Sequence, residues 1–103
     1  MASRTKRPVN KGAGTKGKGE GTDRVEMAAL AEYLAHGAVS ELVVVEVHKG
    51  TYRLEALLTW KPRRSVLTAA RGGERIFRSV DTVVTFFKHI GVGRTSIRME
   101  LKT

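Results

Sequence analysis

The chain contains no cysteine, which excludes a disulfide framework and any thiolate metal site and fits a reducing cytoplasm. Aromatic residues make up only 6% of it, too few for a platform on which single-stranded bases stack. No apolar run approaches the ~20 residues of a membrane span, and the N-terminus lacks the apolar stretch of a signal peptide. Acidic residues are scarce, 10 against 19 Lys plus Arg. Catalytic constellations are missing too: His36, His48 and His89 fall on three separate predicted elements, no carboxylates pair at ligand spacing, and Arg71-Gly72-Gly73 lacks the spacing of a phosphate-cradling loop. The expectation is a cytoplasmic protein with no enzymatic activity, no cofactor, no metal, no membrane contact and no small-molecule substrate.

What is present is positive charge, +9 in total, and it is concentrated. Residues 1–21 carry Arg4, Lys6, Arg7, Lys11, Lys16 and Lys18 against Glu20; residues 61–78 carry Lys61, Arg63, Arg64, Arg71, Arg75 and Arg78 against Glu74, so each block nets +5. The remainder is nearly neutral. Two basic blocks on a neutral scaffold point to a polyanionic partner.

Residues 1–21 hold five glycines and almost no apolar side chains. Such a segment cannot offset its ordering entropy by burial, so it reads as a disordered basic arm, serving either nucleic-acid contact or only solubility. Residues 22–103 read as a single small domain. Asp23-Arg24-Val25-Glu26 has the pattern of a helix capping box, and the alanine-rich run to His36 predicts a helix that ends at Gly37.

From Ser40 the hydrophobic period changes from 3.6 to 2. Leu42 to His48, the turn Lys49-Gly50 and Thr51 to Trp60 predict a hairpin. A two-residue loop sets Val47 against Tyr52, Val45 against Leu54 and Val43 against Ala56, with those residues and Trp60 facing a helix. Leu42, Val44 and Leu57 then fall on the opposite face, an apolar patch predicted to bind a partner or a second copy. Ser65 to Ala70 and Glu74 to Arg78 predict a second hairpin about Gly72-Gly73.

Ser79 and Gly91 have the chemistry of helix caps, with Asp81 at the positive end of the dipole. Between them Val80, Val83, Val84, Phe87 and Ile90 form an apolar stripe, leaving Phe86 exposed. Thr95 to Leu101 alternates as a last strand with Ile97, Met99 and Leu101 inward. The predicted order is α-β-β-β-β-α-β, an α+β domain with an antiparallel-dominated sheet of four to five strands and the second helix on one face.

The candidate nucleic-acid-binding residues are Arg4, Lys6, Arg7, Lys61, Arg63, Arg64, Arg71, Arg75 and Arg78. Arginines on a ribbon can follow phosphates, and turn glycines allow close backbone approach. The plain alternative is a set of charges that guards an edge strand against pairing.

Leu54 to Trp60, Lys61-Pro62, Val66 to Gly72, Arg75, Phe77-Arg78-Ser79-Val80-Asp81, Phe86-Phe87 and Gly91-Val92 together resemble the small partition-associated proteins of bacterial plasmids and integrative elements. The resemblance covers about residues 52–101. It implies a role in plasmid or mobile-element maintenance, with DNA or a partition protein as partner; DNA binding would in turn make the location nucleoid-associated. A looser likeness is to the three-stranded, one-helix DNA-binding domains of phage-type integrases. The expected function is a non-enzymatic nucleic-acid-binding accessory protein, DNA more than RNA, the alternative being an interaction module that self-associates or binds a partition partner.

Overall fold

The computed structural model describes residues 23–102. Its elements are β1 (Asp23–Glu26), α1 (Met27–Ala35), β2 (Val39–His48), β3 (Thr51–Leu58), β4 (Ser65–Thr68), β5 (Ile76–Phe77), α2 (Val80–Ile90) and β6 (Ser96–Glu100). The fold is α+β. Its sheet is mixed and follows the order β1-β4-β3-β2-β6, with β5 pairing beside β4 on the same strand, β3. The β1–β4 and β2–β6 pairs are parallel. Both arise because a helix returns the chain in the same direction, α1 after β1 and α2 after β5.

Two features of that order correct the sequence expectation. The chain enters through a strand, not a helix: Asp23-Arg24-Val25-Glu26 pairs with Ser65–Thr68. This pairing buries Val25 and satisfies backbone groups that a helical start would leave orphaned. Glu26 is only the residue before α1, and its side chain makes no capping bond. The parallel pairs then make the sheet mixed instead of antiparallel-dominated.

The β2–β3 register also differs. Val47 bulges out, so that His48 pairs with Thr51, Glu46 with Tyr52, Val44 with Leu54 and Leu42 with Ala56. One extra residue moves the side chains from Glu46 back to Glu41 to the other face, and a second irregularity at Ser40 returns Val39 to the core. Leu42 and Val44, expected on the open face as a partner surface, therefore lie in the core with 0% and 3% of their surface exposed. Leu57 alone of the three is on the open face, half-buried. The Glu46 carboxylate anchors the bulge, accepting the Gly50 N–H at 2.9 Å and the Lys102 N–H at 2.9 Å. Those two hydrogen bonds, the Gly50 one foremost, hold its pKa below the ordinary value, helped by the charges of Lys49 and Lys102.

Helix α2 has the predicted ends. Ser79 Oγ accepts the Thr82 N–H at 3.1 Å, and Gly91 is left-handed (φ 86°), its N–H and that of Val92 both donating to the Phe87 carbonyl. The buried stripe is Val83, Phe86, Phe87 and Ile90, while Val80 and Val84 stay exposed. The helix is thus rotated from its expected setting. Two overlapping i, i+3, i+4, i+7 sets exist here, and the one carrying both phenylalanines buries more apolar area. Phe86 meets Phe77 edge-on at 5.2 Å.

One cluster joins both helices to the same face of the sheet, from Val25 and Leu30 through Leu42, Val44, Leu54, Ala56 and Leu67 to the α2 stripe. Residues of β6 are outside it: Ile97 and Met99 pair with Leu42 and Val44, so they share the helix face, yet they remain exposed. Trp60 is exposed as well, edge-on to Tyr33 at 4.8 Å.

Candidate nucleic-acid interface

The open face of the sheet is a lattice of charges over a thin apolar layer. Pairing aligns Arg98, Val43, Glu55, Val66 and Arg24 in one row across five strands. Val43 is wholly buried although no helix covers it. Arg64 bridges Glu55 at 3.3 Å and Glu100 at 3.2 Å; Arg53 bridges Glu55 at 2.8 Å and Glu74 at 3.6 Å; Arg98 meets Glu41 at 3.5 Å. All of these groups but Glu100 line a cleft of about 650 Å³, together with Arg63.

That network sorts the basic residues of the 61–78 block. Arg64 acts as counterion to the buried Glu55, and Lys61 lies 3.9 Å from Asp23. Their charges are largely matched inside the fold. Arg63, Arg71 and Arg78 are exposed and make no ion pair with any described residue. Arg75 is half-buried, its guanidinium 5.1 Å from the centres of both the Phe77 and Phe86 rings. It stands where two clefts meet, one lined by Met27, Thr82 and His89, the other by Glu26 and Ala69. Arg75 therefore faces the helix side, away from the open face.

Sequence reasoning missed Arg24. Its Nη1 donates to the Gly72 carbonyl at 3.1 Å, which sets an exposed guanidinium beside Arg71 in the β4–β5 turn. The turn itself is tight: Gly72 is at φ 100°, and Ala69 N–H donates to the Gly73 carbonyl at 2.7 Å. The available signal was charge in a segment that also matched a helix cap; only pairing with β4 shows where that charge points.

β4 organises the rest. Arg63 and Arg64 precede it and the Arg71 turn follows it, and its four residues span only about 13 Å. Asp23 pairs with Ser65, the first residue of β4, so the start of β1 adjoins the Lys61–Arg64 turn. Arg4, Lys6 and Arg7 lie outside the described residues.

The three histidines sit on or beside different elements, and among the described residues no three His, Asp or Glu side chains gather as a metal-binding group. No described helix is long and apolar enough to cross a membrane. Comparison with protein-family models, curated proteins and solved structures finds no match.

Proposed function

We propose that the chain is a non-enzymatic nucleic-acid-binding accessory protein that contacts the phosphate backbone of duplex DNA through its β1–β4 edge. The observation that carries this reading is the Asp23–Ser65 pairing, which roots the basic N-terminal segment beside the second basic block. The first segment of net +5 thereby leads into the sheet next to the Lys61–Arg64 start of the second. Arg24, Arg63 and Arg71 make no ion pair with any described residue, and a chain running along phosphates releases counterions wherever it neutralises one.

In this reading Arg4, Lys6 and Arg7 supply sequence-independent attraction, while Arg63 and Arg71 set the orientation of the folded domain. Arg78, just before α2, extends the positive surface. Lys61 pairs with Asp23 at the edge and Arg64 is held across the open face by Glu55 and Glu100, so both contribute field instead of touching phosphates directly. The resemblance to partition-associated proteins makes plasmid or mobile-element maintenance the proposed setting, in the cytoplasm beside DNA and with a partition protein as a proposed partner.

The test is a fluorescence-anisotropy titration of labelled duplex DNA, single-stranded DNA and RNA at two salt concentrations. Duplex binding that weakens steeply with salt supports the reading. Preference for RNA or single strands redirects it, and salt-independent binding or none contradicts it.

A further inference from the structure

We propose that β6 is a self-pairing edge: two copies of the chain join antiparallel along it, with Met99 on the twofold axis. The inference stands apart from the nucleic-acid reading. β6 pairs with β2 on one side and with no described strand on the other. Lys102 N–H donates to Glu46 at 2.9 Å and its Nζ donates to the Val47 carbonyl at 3.3 Å, so the extended path continues along β2 past the end of the strand. Backbone groups alternate sides along an extended chain. Since the Lys102 N–H faces β2, those of Arg98 and Glu100 do too, and those of Ile97, Met99 and Leu101 point to the open edge.

The side chains at those outward positions form an apolar row on the helix face, with Ile97 45%, Met99 44% and Leu101 59% exposed. Free backbone donors and acceptors beside an uncovered apolar row make a template for another strand. The charge pattern identifies that strand as a second copy. With Met99 opposite itself, Arg98 falls opposite Glu100 of the partner subunit, Glu100 opposite Arg98 of the partner subunit, and Ile97 opposite Leu101 of the partner subunit. Because Met99 presents its backbone outward, it forms the hydrogen-bonded pair. Arg98 and Glu100 then meet in the non-hydrogen-bonded pairs, where side chains approach most closely. Centring the axis on Arg98 instead would oppose two guanidinium groups, and centring it on Ile97 would put Arg98 against Ser96. The interface is isologous, as a twofold dimer requires.

Sedimentation equilibrium of the full chain tests this, with a concentration-dependent dimer expected in the micromolar range. Arg98→Glu alone sets carboxylates against carboxylates at both pairs, and Glu100→Arg alone sets guanidinium against guanidinium; each variant should sediment as monomer. An equimolar mixture of the two should recover the dimer, because every cross-strand pair is then complementary. Breaking Arg98–Glu41, Arg98–Glu100 or Arg64–Glu100 within a subunit cannot explain that recovery, since each variant still lacks the same ion pairs in the mixture. Met99→Cys, the sole cysteine in the chain, should oxidise to a disulfide-linked dimer, whereas Lys49→Cys in the β2–β3 turn should not. A strict monomer at every concentration, a mixture that stays monomeric, or equal cross-linking at both cysteine positions overturns the proposal.

Discussion

Asp23 lies opposite Ser65 in the parallel ladder of β1 and β4, so the chain enters the sheet beside Lys61-Pro62-Arg63-Arg64. The segment that precedes Asp23 therefore leads into the sheet next to the start of the second basic block. Ion pairs on the open face then divide the nearby arginines: Arg64 is matched by Glu55 and Glu100, whereas Arg63 and Arg71 pair with no described residue.

The division predicts distinct phenotypes within one charge cluster. Arg63→Ala and Arg71→Ala should weaken duplex binding and lower the salt slope by about 0.9 for each phosphate left without its arginine, with the fold unaffected. Arg64→Ala should instead lower stability by about 1–2 kcal/mol, because Glu55 keeps only Arg53 as a counterion in a solvent-poor setting. Thermal melts alongside binding titrations distinguish the two classes.

The bulge at Val47 predicts an asymmetry between neighbours on β2. Val44→Asp puts an unpaired carboxylate among Leu54 and the helices and should cost more than ~3 kcal/mol or abolish folding. Val45→Asp, half-exposed opposite Arg53, should cost less than ~1 kcal/mol. Urea denaturation of both variants checks the register, and the reverse ranking would restore the unbulged hairpin.

Helix α2 gives a second comparison of the same kind. Phe86→Ala removes a ring packed against Phe77 and Arg75 and should destabilise by about 3–4 kcal/mol. Val84→Ala, at an exposed position, should stay within about 0.5 kcal/mol of the parent. Urea denaturation of the pair reads the rotation of the helix directly, and a larger cost for Val84→Ala than for Phe86→Ala would return α2 to the setting that leaves Phe86 outside.

Glu46 predicts how acid acts on the β2–β3 turn. Its carboxyl is a stronger acid in the fold than in the unfolded chain, because the ionised form accepts the Gly50 and Lys102 N–H groups. Its stabilising contribution is therefore complete above the ordinary carboxylate pKa of about 4.3 and is lost as pH falls through the lowered folded value. Glu46→Gln should melt earlier than the parent at neutral pH, and the two melting curves should converge in acid.

These cases show which features the residues reveal on their own. The α2 caps are local: Ser79 and Gly91 act on N–H and C=O groups within a few residues, and the chemistry of each residue suffices to read them. The β2 register is not local. Leu42-Val43-Val44-Val45 is apolar at both parities, so alternation cannot choose a face, and the bulge is fixed by a carboxylate that also binds Lys102 from the far end of the chain. Asp23–Glu26 fits a helix cap and a strand equally well until β4 is beside it. The basic block was visible as charge, but Arg64 was separated from Arg63 only by the approach of Glu55 and Glu100, and Arg24 joined the group only through β1–β4 pairing.

The most direct test of the DNA-binding account measures the duplex association constant against salt for two full-length chains, the parent and one with Arg4, Lys6, Arg7, Lys11, Lys16 and Lys18 replaced by Gln. The account predicts a steep slope for the parent and a clearly shallower one for the variant, with residual binding retained by Arg24, Arg63 and Arg71. Identical slopes for the two chains, or no duplex binding by the parent at low salt, would contradict it.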